Sequence, residues 1–211
     1  MKIKKERLLN FKKIYLFDLD GVILNSKKNM NLAWNSVMEG LEIEIKFENY
    51  FNYIGLPFRE ILKKLKIDKS KFTKAEKIFI LNSKKNLDKL KLYNKVSETI
   101  NLLKKRKKII GVLTSKDKIR TLMILKKFNL NFDFVLCPVS KKLSKPNPFQ
   151  IFEIMKTYKS KKKDLVFVGD MDIDKLTAHN AGIDFIYCNY GYGKKILKKN
   201  FISRFSQILN I

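Results

Sequence analysis

Apolar runs of strand length alternate with helical patterns along this chain. Lys13–Phe17 (KIYLF), Ile109–Leu113 (IIGVL), Phe134–Cys137 (FVLC), Leu165–Val168 (LVFV) and Phe185–Cys188 (FIYC) are short, continuous and rich in β-branched or aromatic residues. Such runs predict parallel strands buried on both faces. Between the later runs the spacing predicts helices over Lys116–Phe128, Pro148–Tyr158 and Asp174–Ala181, the last closed by Gly182 as a C-cap. Strands alternating with helices predict an α/β fold with a doubly wound, mainly parallel sheet.

The interval between the first two runs breaks this rhythm. About ninety residues separate Phe17 from Ile109, too many for one crossover. Their pattern is helical: Met30, Ala33, Val37 and Leu41 form one stripe, and Ile78, Leu81, Lys85, Leu87 and Leu90 a second. The expected organisation is an α/β core from residues 1–24 and 97–211 and an inserted α-helical domain over 25–96. Lys95–Lys105 is read as the helix that returns to the core.

Composition adds limits. A 45% hydrophobic share with 12% aromatics excludes disorder as the dominant state. No run reaches the roughly eighteen apolar residues of a membrane span, and Met1–Glu6 leads into no apolar signal core. A soluble, cytoplasmic protein with no membrane partner is therefore expected. Cys137 and Cys188 form neither a metal knuckle nor a CxxC pair and read as small hydrophobes in strands.

The net charge of +26 raises nucleic acid as a partner. Of the 46 basic residues, however, 41 are Lys and 5 are Arg (Arg7, Arg59, Arg106, Arg120, Arg204), whereas specific phosphate and base readers favour guanidinium. The excess is also spread evenly, at +8 over the 72 residues 25–96 and +18 over the other 139. Lys, Ile, Asn and Phe all dominate, and all have A/T-rich codons, so genome composition accounts for the bias. What remains is a positive field that draws in anionic substrates.

Candidate chemistry lies at the carboxyl ends of the predicted strands, where open α/β sheets bind ligands. Phe17-Asp18-Leu19-Asp20-Gly21-Val22 places two carboxylates after the first strand, with Gly21 permitting an immediate turn. Leu113-Thr114-Ser115 adds hydroxyls after the second, and Lys145-Pro146-Asn147-Pro148 a cation after the third. Gly169-Asp170-Met171-Asp172-Ile173-Asp174 adds carboxylates after the fourth. A carboxylate nucleophile, phosphate-neutralising hydroxyl and ammonium groups, and carboxylates for Mg2+ are the parts of phosphoryl transfer.

In this order the blocks DxDG, strand-end Thr, KPxP and GDxxxD resemble the haloacid dehalogenase (HAD) superfamily, specifically its phosphoglycolate-phosphatase-like branch with an inserted helical cap. The resemblance spans Lys13 to about Gly193. It implies a Rossmann-like core and an aspartyl-phosphate on Asp18, with Asp20 as general acid and base. It implies phosphate binding by Thr114, with Ser115 beside it, and Lys145, and magnesium ligation by Asp18, the Asp20 carbonyl and Asp170, with Asp174 as a further ligand or as support behind the ligands. The expected activity is magnesium-dependent hydrolysis of a small phosphorylated metabolite, phosphoglycolate- or sugar-phosphate-like. Gly169-Asp170 stands where sugar-phosphate mutases of the superfamily tend to carry Glu-Asp, which tilts the reading toward a hydrolase. The alternatives left open are a sugar phosphomutase and a nucleic-acid-binding protein on the same fold.

The cap is expected to choose the substrate. Arg59, in the loop Ile54–Glu60, is a candidate ligand for a distal anionic group, or else a surface partner of Glu60 or Asp68. Lys116, two beyond Thr114, is a candidate for the leaving group. Asp172 reads as an exposed helix-start acid, the lone His179 as an exposed helix residue and Trp34 as packing for the cap. Tyr190–Gly193 reads as a structural loop closing the core.

Overall fold

All four side chains of Ile14–Phe17 (β1) are buried, as in a central strand covered on both faces. The computed structural model describes residues 12–138, 140, 143–194 and 200–210. The stretch 1–11, read above for a leader, and residues 139, 141, 142, 195–199 and 211 lie outside them. After β1 come β2 (Leu24–Asn25) and the helices α1 (Lys27–Leu41), α2 (Phe47–Phe51), α3 (Phe58–Lys64) and α4 (Phe72–Lys85). The chain continues through β3 (Lys91–Leu92), α5 (Val96–Lys105), β4 (Ile109–Leu113), α6 (Lys118–Lys127) and β5 (Phe134–Leu136). It ends with α7 (Phe149–Thr157), β6 (Leu165–Gly169), α8 (Asp172–Ala181), β7 (Asp184–Cys188) and β8 (Phe201–Ile202).

The main sheet runs in the order β5-β4-β1-β6-β7-β8, and every neighbouring pair is parallel. The fold is thus the doubly wound α/β class expected. The chain winds outward from β1 through β4 to β5, then returns to the other side of β1 as β6. This places the topological switch between β1 and β6, the position where such sheets bind ligands. Alternation within β1 feeds two cores. Tyr15 and Phe17 join Val96, Ile100 and Leu103 of α5 on one face, and Ile14 and Leu16 join Ile151 and Ile154 of α7 and Ala178 of α8 on the other.

Between β2 and β3, which pair antiparallel where the chain leaves and rejoins the core, a third apolar cluster forms among α1–α4. Helix α1 buries Met30, Ala33, Trp34, Val37 and Leu41, the stripe that its spacing predicted. Trp34 is fully buried, stacks on Tyr50 with ring centroids 4.7 Å apart, and donates from Nε1 to the Ile45 carbonyl at 2.7 Å. Burial of a large side chain contributes roughly 1.5–3 kcal/mol, so the stripe holds the helices together without sheet support. The second predicted stripe needs correcting. Helix α4 buries Phe72, Ala75, Phe79 and Ser83, and Leu81 is 54% exposed. Ser83 accounts for the shift: its Oγ donates to buried Asn29 at 2.8 Å, so the inward face of the helix is partly polar.

Helix ends also differ in detail. Asp117 caps α6 by accepting from the Arg120 amide at 2.9 Å, so the helix begins two residues later than its periodicity suggested. Helix α8 begins at Asp172, which lies exposed in its first turn, and ends at Gly182 in the left-handed conformation (φ 68°). Cys137 and Cys188 are buried and unbridged. Among the described residues, no helix is long and apolar enough to cross a membrane.

Candidate active site

The carboxyl ends of β1, β4 and β6 bring Asp18, Thr114 and Asp170 to one sheet edge, and the loop after β5 brings Lys145 to it. Asp18 is 5% exposed and its amide donates to the Val168 carbonyl at 2.9 Å, extending the β1–β6 pairing into the site. Lys145 Nζ lies between two carboxylates, donating to Asp18 Oδ1 at 2.8 Å and to Asp174 Oδ1 at 2.7 Å. Burial drives the Asp18 carboxyl up to about 7, against the pull of Lys145 and with the help of Asp174 and Asp20. Burial alone would lower the Lys145 ammonium, but the Asp174 and Asp18 charges outweigh it and hold the ammonium above its ordinary value.

Asp170 is fully buried. Its Oδ2 accepts from the Tyr192 amide at 2.6 Å, and its Oδ1 has no hydrogen-bond partner. Desolvation, then Asp174 and Asp18, push its carboxyl well above the usual range. Asp174 Oδ2 accepts from the Asp170 and Met171 amides at 3.2 and 3.1 Å, which fixes it at the start of α8.

One oxygen from each of Asp18, Asp170 and Asp174 lies within 4.8 Å of the others. Magnesium takes oxygen ligands in an octahedron at ~2.1 Å, so opposite ligands stand about 4 Å apart. The trio fits such an ion by donor chemistry, its oxygens gathered on one spot, and the orphaned Asp170 Oδ1 and the excess of buried carboxylates over Lys145 both favour a cation there. The Asp20 side chain lies outside this trio. Its Oδ2 pairs with Lys116 Nζ at 3.0 Å, and its Oδ1 is buried without a partner.

Gly21 makes this convergence possible. Its φ is +86°, and a Cβ there would lie 2.1 Å from Asp170 Oδ2. Gly21→Ala is therefore expected to cost on the order of 2–3 kcal/mol, from left-handed strain and displacement of Asp170. Chemical denaturation checks the loss, and magnesium affinity should fall with it.

The remaining predicted residues divide. Thr114 is buried at the edge, and its Oγ1 accepts from the Lys116 amide at 3.2 Å. The Ser115 hydroxyl donates to the Gly55 carbonyl of the cap loop at 2.6 Å. Lys116 stands outside the helix where its position was read, buried on Asp20. Arg59 is set apart: its side chain is 52% exposed and donates through Nη2 and Nε to Glu76 on α4 at 2.7 and 2.9 Å. Its partner is thus neither Glu60 nor Asp68, because Glu60 takes Lys63 and Asp68 caps Ser70.

The helical segment 25–96 packs over these groups and leaves a cavity of about 60 Å³, lined by Asp18, Asp20, Thr114, Ser115, Lys116 and Lys145 from the α/β core. Tyr50, Tyr192 and Arg120 also line it, and the sequence did not mark them as part of the site. The Tyr190–Gly193 loop does more than close the core. It donates the Tyr192 amide to Asp170, and the Tyr192 ring packs edge-on against Phe51 of the cap at 5.0 Å. The available signal was a Tyr-Gly-Tyr-Gly run directly after a buried strand. For Arg120 it was the rarity of arginine in a lysine-rich chain.

Comparison with known proteins agrees with this geometry. The family described as haloacid dehalogenase-like hydrolase matches residues 15–188. A phosphoglycolate phosphatase of Pasteurella multocida is 28% identical over 87% of this chain and 88% of its own. The pyrophosphatase PpaX of Halalkalibacterium halodurans is 27% identical over 83% and 82%. The crystal structure of a predicted phosphoglycolate phosphatase from Haemophilus somnus superposes with a TM-score of 0.84 at 25% identity, covering 94% of this chain and 97% of that one. With its family motifs at the switch point of the family's fold, the chain belongs to the haloacid dehalogenase-like hydrolases, as a phosphoric monoester hydrolase of the phosphoglycolate-phosphatase-like branch.

Proposed function

We propose that the protein is a magnesium-dependent phosphatase that hydrolyses a small phosphorylated metabolite, phosphoglycolate- or sugar-phosphate-like, through an aspartyl-phosphate on Asp18. The observation that carries this reading is buried Asp18 held at 2.8 Å by Lys145, with the partnerless Asp20 Oδ1 two residues on. Lys145 orients Asp18 and, with Thr114, neutralises the arriving phosphoryl group. An Asp18 oxygen attacks phosphorus as the bond to the leaving oxygen breaks, and Asp20 Oδ1 gives that oxygen its proton. Asp20, now a carboxylate, takes a proton from water, whose oxygen attacks the phosphorus and releases phosphate and free Asp18.

Asp18, Asp170 and Asp174, with the Asp20 carbonyl, would hold the magnesium. When bound, it supplies positive charge against the phosphoryl oxygens. Residues 25–96 act as a cap that admits substrate and excludes bulk water, and the Ser115–Gly55 hydrogen bond marks its closed position. Gly169 supports hydrolysis over the mutase reading. A Cβ there would lie 2.4 Å from the Asp174 Cβ, so the site has no room for the additional acid.

Two measurements test this reading. Phosphate release from two- to six-carbon phosphate esters should fall to background in EDTA and return with magnesium. Saturation to about 100 Kd should add ~2.7 kcal/mol of stability, which raises Tm by roughly 5–10 °C in a chain of this size. Release that persists undiminished in EDTA would sink the magnesium assignment.

A further inference from the structure

Arg120 is 7% exposed, lines the catalytic cavity together with Asp18 and Asp20, and carries a buried Nη1 with no hydrogen-bond partner. A buried guanidinium donor left unpaired is costly, and the surroundings hold the group in place without satisfying it. Its Nε pairs with Asp117, a residue outside the lining of this cavity. Its Cζ lies 5.3 Å from the centroid of the Phe79 ring, which fixes the guanidinium by a cation–π contact. The charge reaches the cavity, since the buried Tyr50 phenol on the same wall feels Arg120 and Asp20 together.

The other two cations of the wall are committed to the reacting edge: Lys145 to Asp18 and Asp174, and Lys116 to Asp20. Around Arg120 the cap contributes apolar groups, among them Ile54, Leu56, Phe58 and Ile61, which offer an anion nothing. Arg120 also lines a groove of about 780 Å³ between cap and core, so it stands where the inner cavity meets the outside.

We propose that Arg120 binds a second anionic group of the substrate, a carboxylate or phosphate beyond the phosphoryl group that is transferred. The preferred substrates are then short phosphorylated acids and not neutral phosphate esters. The proposal rests on the phosphatase reading of the cavity and goes beyond it by assigning selectivity to one residue. The space of about 60 Å³ suits a short chain, being far below the roughly 300 Å³ at which pockets for drug-sized ligands begin. It also moves the role foreseen for Arg59 to a residue on the core side of the cavity.

The test compares wild type, Arg120→Gln and Arg120→Lys on phosphoglycolate, pyrophosphate and the neutral ester 2-hydroxyethyl phosphate. In Arg120→Gln the kcat/KM ratio of the preferred acid over the neutral ester should fall about 10- to 100-fold, the range of one charged hydrogen bond. The loss should lie mainly in KM, and Arg120→Lys should recover part of it. Whether phosphoglycolate or pyrophosphate shows the larger loss identifies the second group as carboxylate or phosphate. A ratio unchanged within about twofold overturns the proposal, as does an equal loss on the neutral ester, which would mark Arg120 as structural. If wild type hydrolyses none of the three and no ester of the two- to six-carbon panel, the phosphatase reading fails separately. Calorimetric binding of phosphoglycolate to Asp18→Asn and to Asp18→Asn/Arg120→Gln then decides the role of Arg120: tenfold weaker binding in the double variant supports it, and equal binding overturns it.

Discussion

Replacing Asp18 by asparagine is expected to lower kcat/KM on every phosphate ester by on the order of 10⁴-fold or more, with the fold intact. The amide is nearly isosteric and can still accept from Lys145 Nζ, but it offers no anionic oxygen to phosphorus. Stability should not suffer. The Asp18 carboxyl is pushed up to about 7 by burial, so the metal-free protein holds its ionised form at a cost that the neutral amide removes. In EDTA the variant should therefore unfold at or above the wild-type Tm, and with magnesium it should gain less than wild type. Turnover within tenfold of wild type would place the nucleophile elsewhere.

The second large effect is expected at Lys145. It lies between Asp18 and Asp174 and is itself buried, with its side chain 2% exposed. Lys145→Met keeps the aliphatic stem and removes the charge, leaving buried carboxylates unopposed. Breaking a buried ion pair by deleting one partner costs about 3–5 kcal/mol, or roughly 6–20 °C in Tm at this chain length. Hydrolysis should be lost as well, because the phosphoryl group loses its cation. Magnesium should restore part of the stability and little of the activity. A second substitution, Asp174→Asn, should cost less in the Lys145→Met background than in wild type, because the two groups are coupled. Additive losses would contradict the ion-pair account.

The core sheet was legible because its central strands β1, β4 and β6 are buried on both faces, whereas β5, expected to be buried too, lies half-buried at the sheet edge. Four consecutive apolar residues in Ile14–Phe17 leave one environment in which all can be buried. The candidate site was legible for a related reason: polar residues placed immediately after buried strands have few places to go. Three features were not readable from the chain. β8 is two residues long and follows a lysine-rich stretch, too short to show any period. The inward face of α4 could not be assigned because Ser83 is buried by its bond to Asn29, 54 residues away in sequence. The surface place of Arg59 and the cavity place of Arg120 could not be read either, because tertiary partners set both. Glu76 takes Arg59 at the surface, while Asp117 and Phe79 hold Arg120 in the cavity wall.

The central claim is that Asp18 carries the phosphoryl group. The most direct measurement is an acid-quenched single turnover with magnesium and the best ester of the panel, followed by peptide mass analysis of wild type and Asp18→Asn. The account predicts that the wild-type peptide containing Asp18 gains the mass of one phosphoryl group, removable by hydroxylamine and absent from the variant. Phosphate release at the wild-type rate with no phosphorylated peptide at any quench time would contradict it, and would point to direct attack by water.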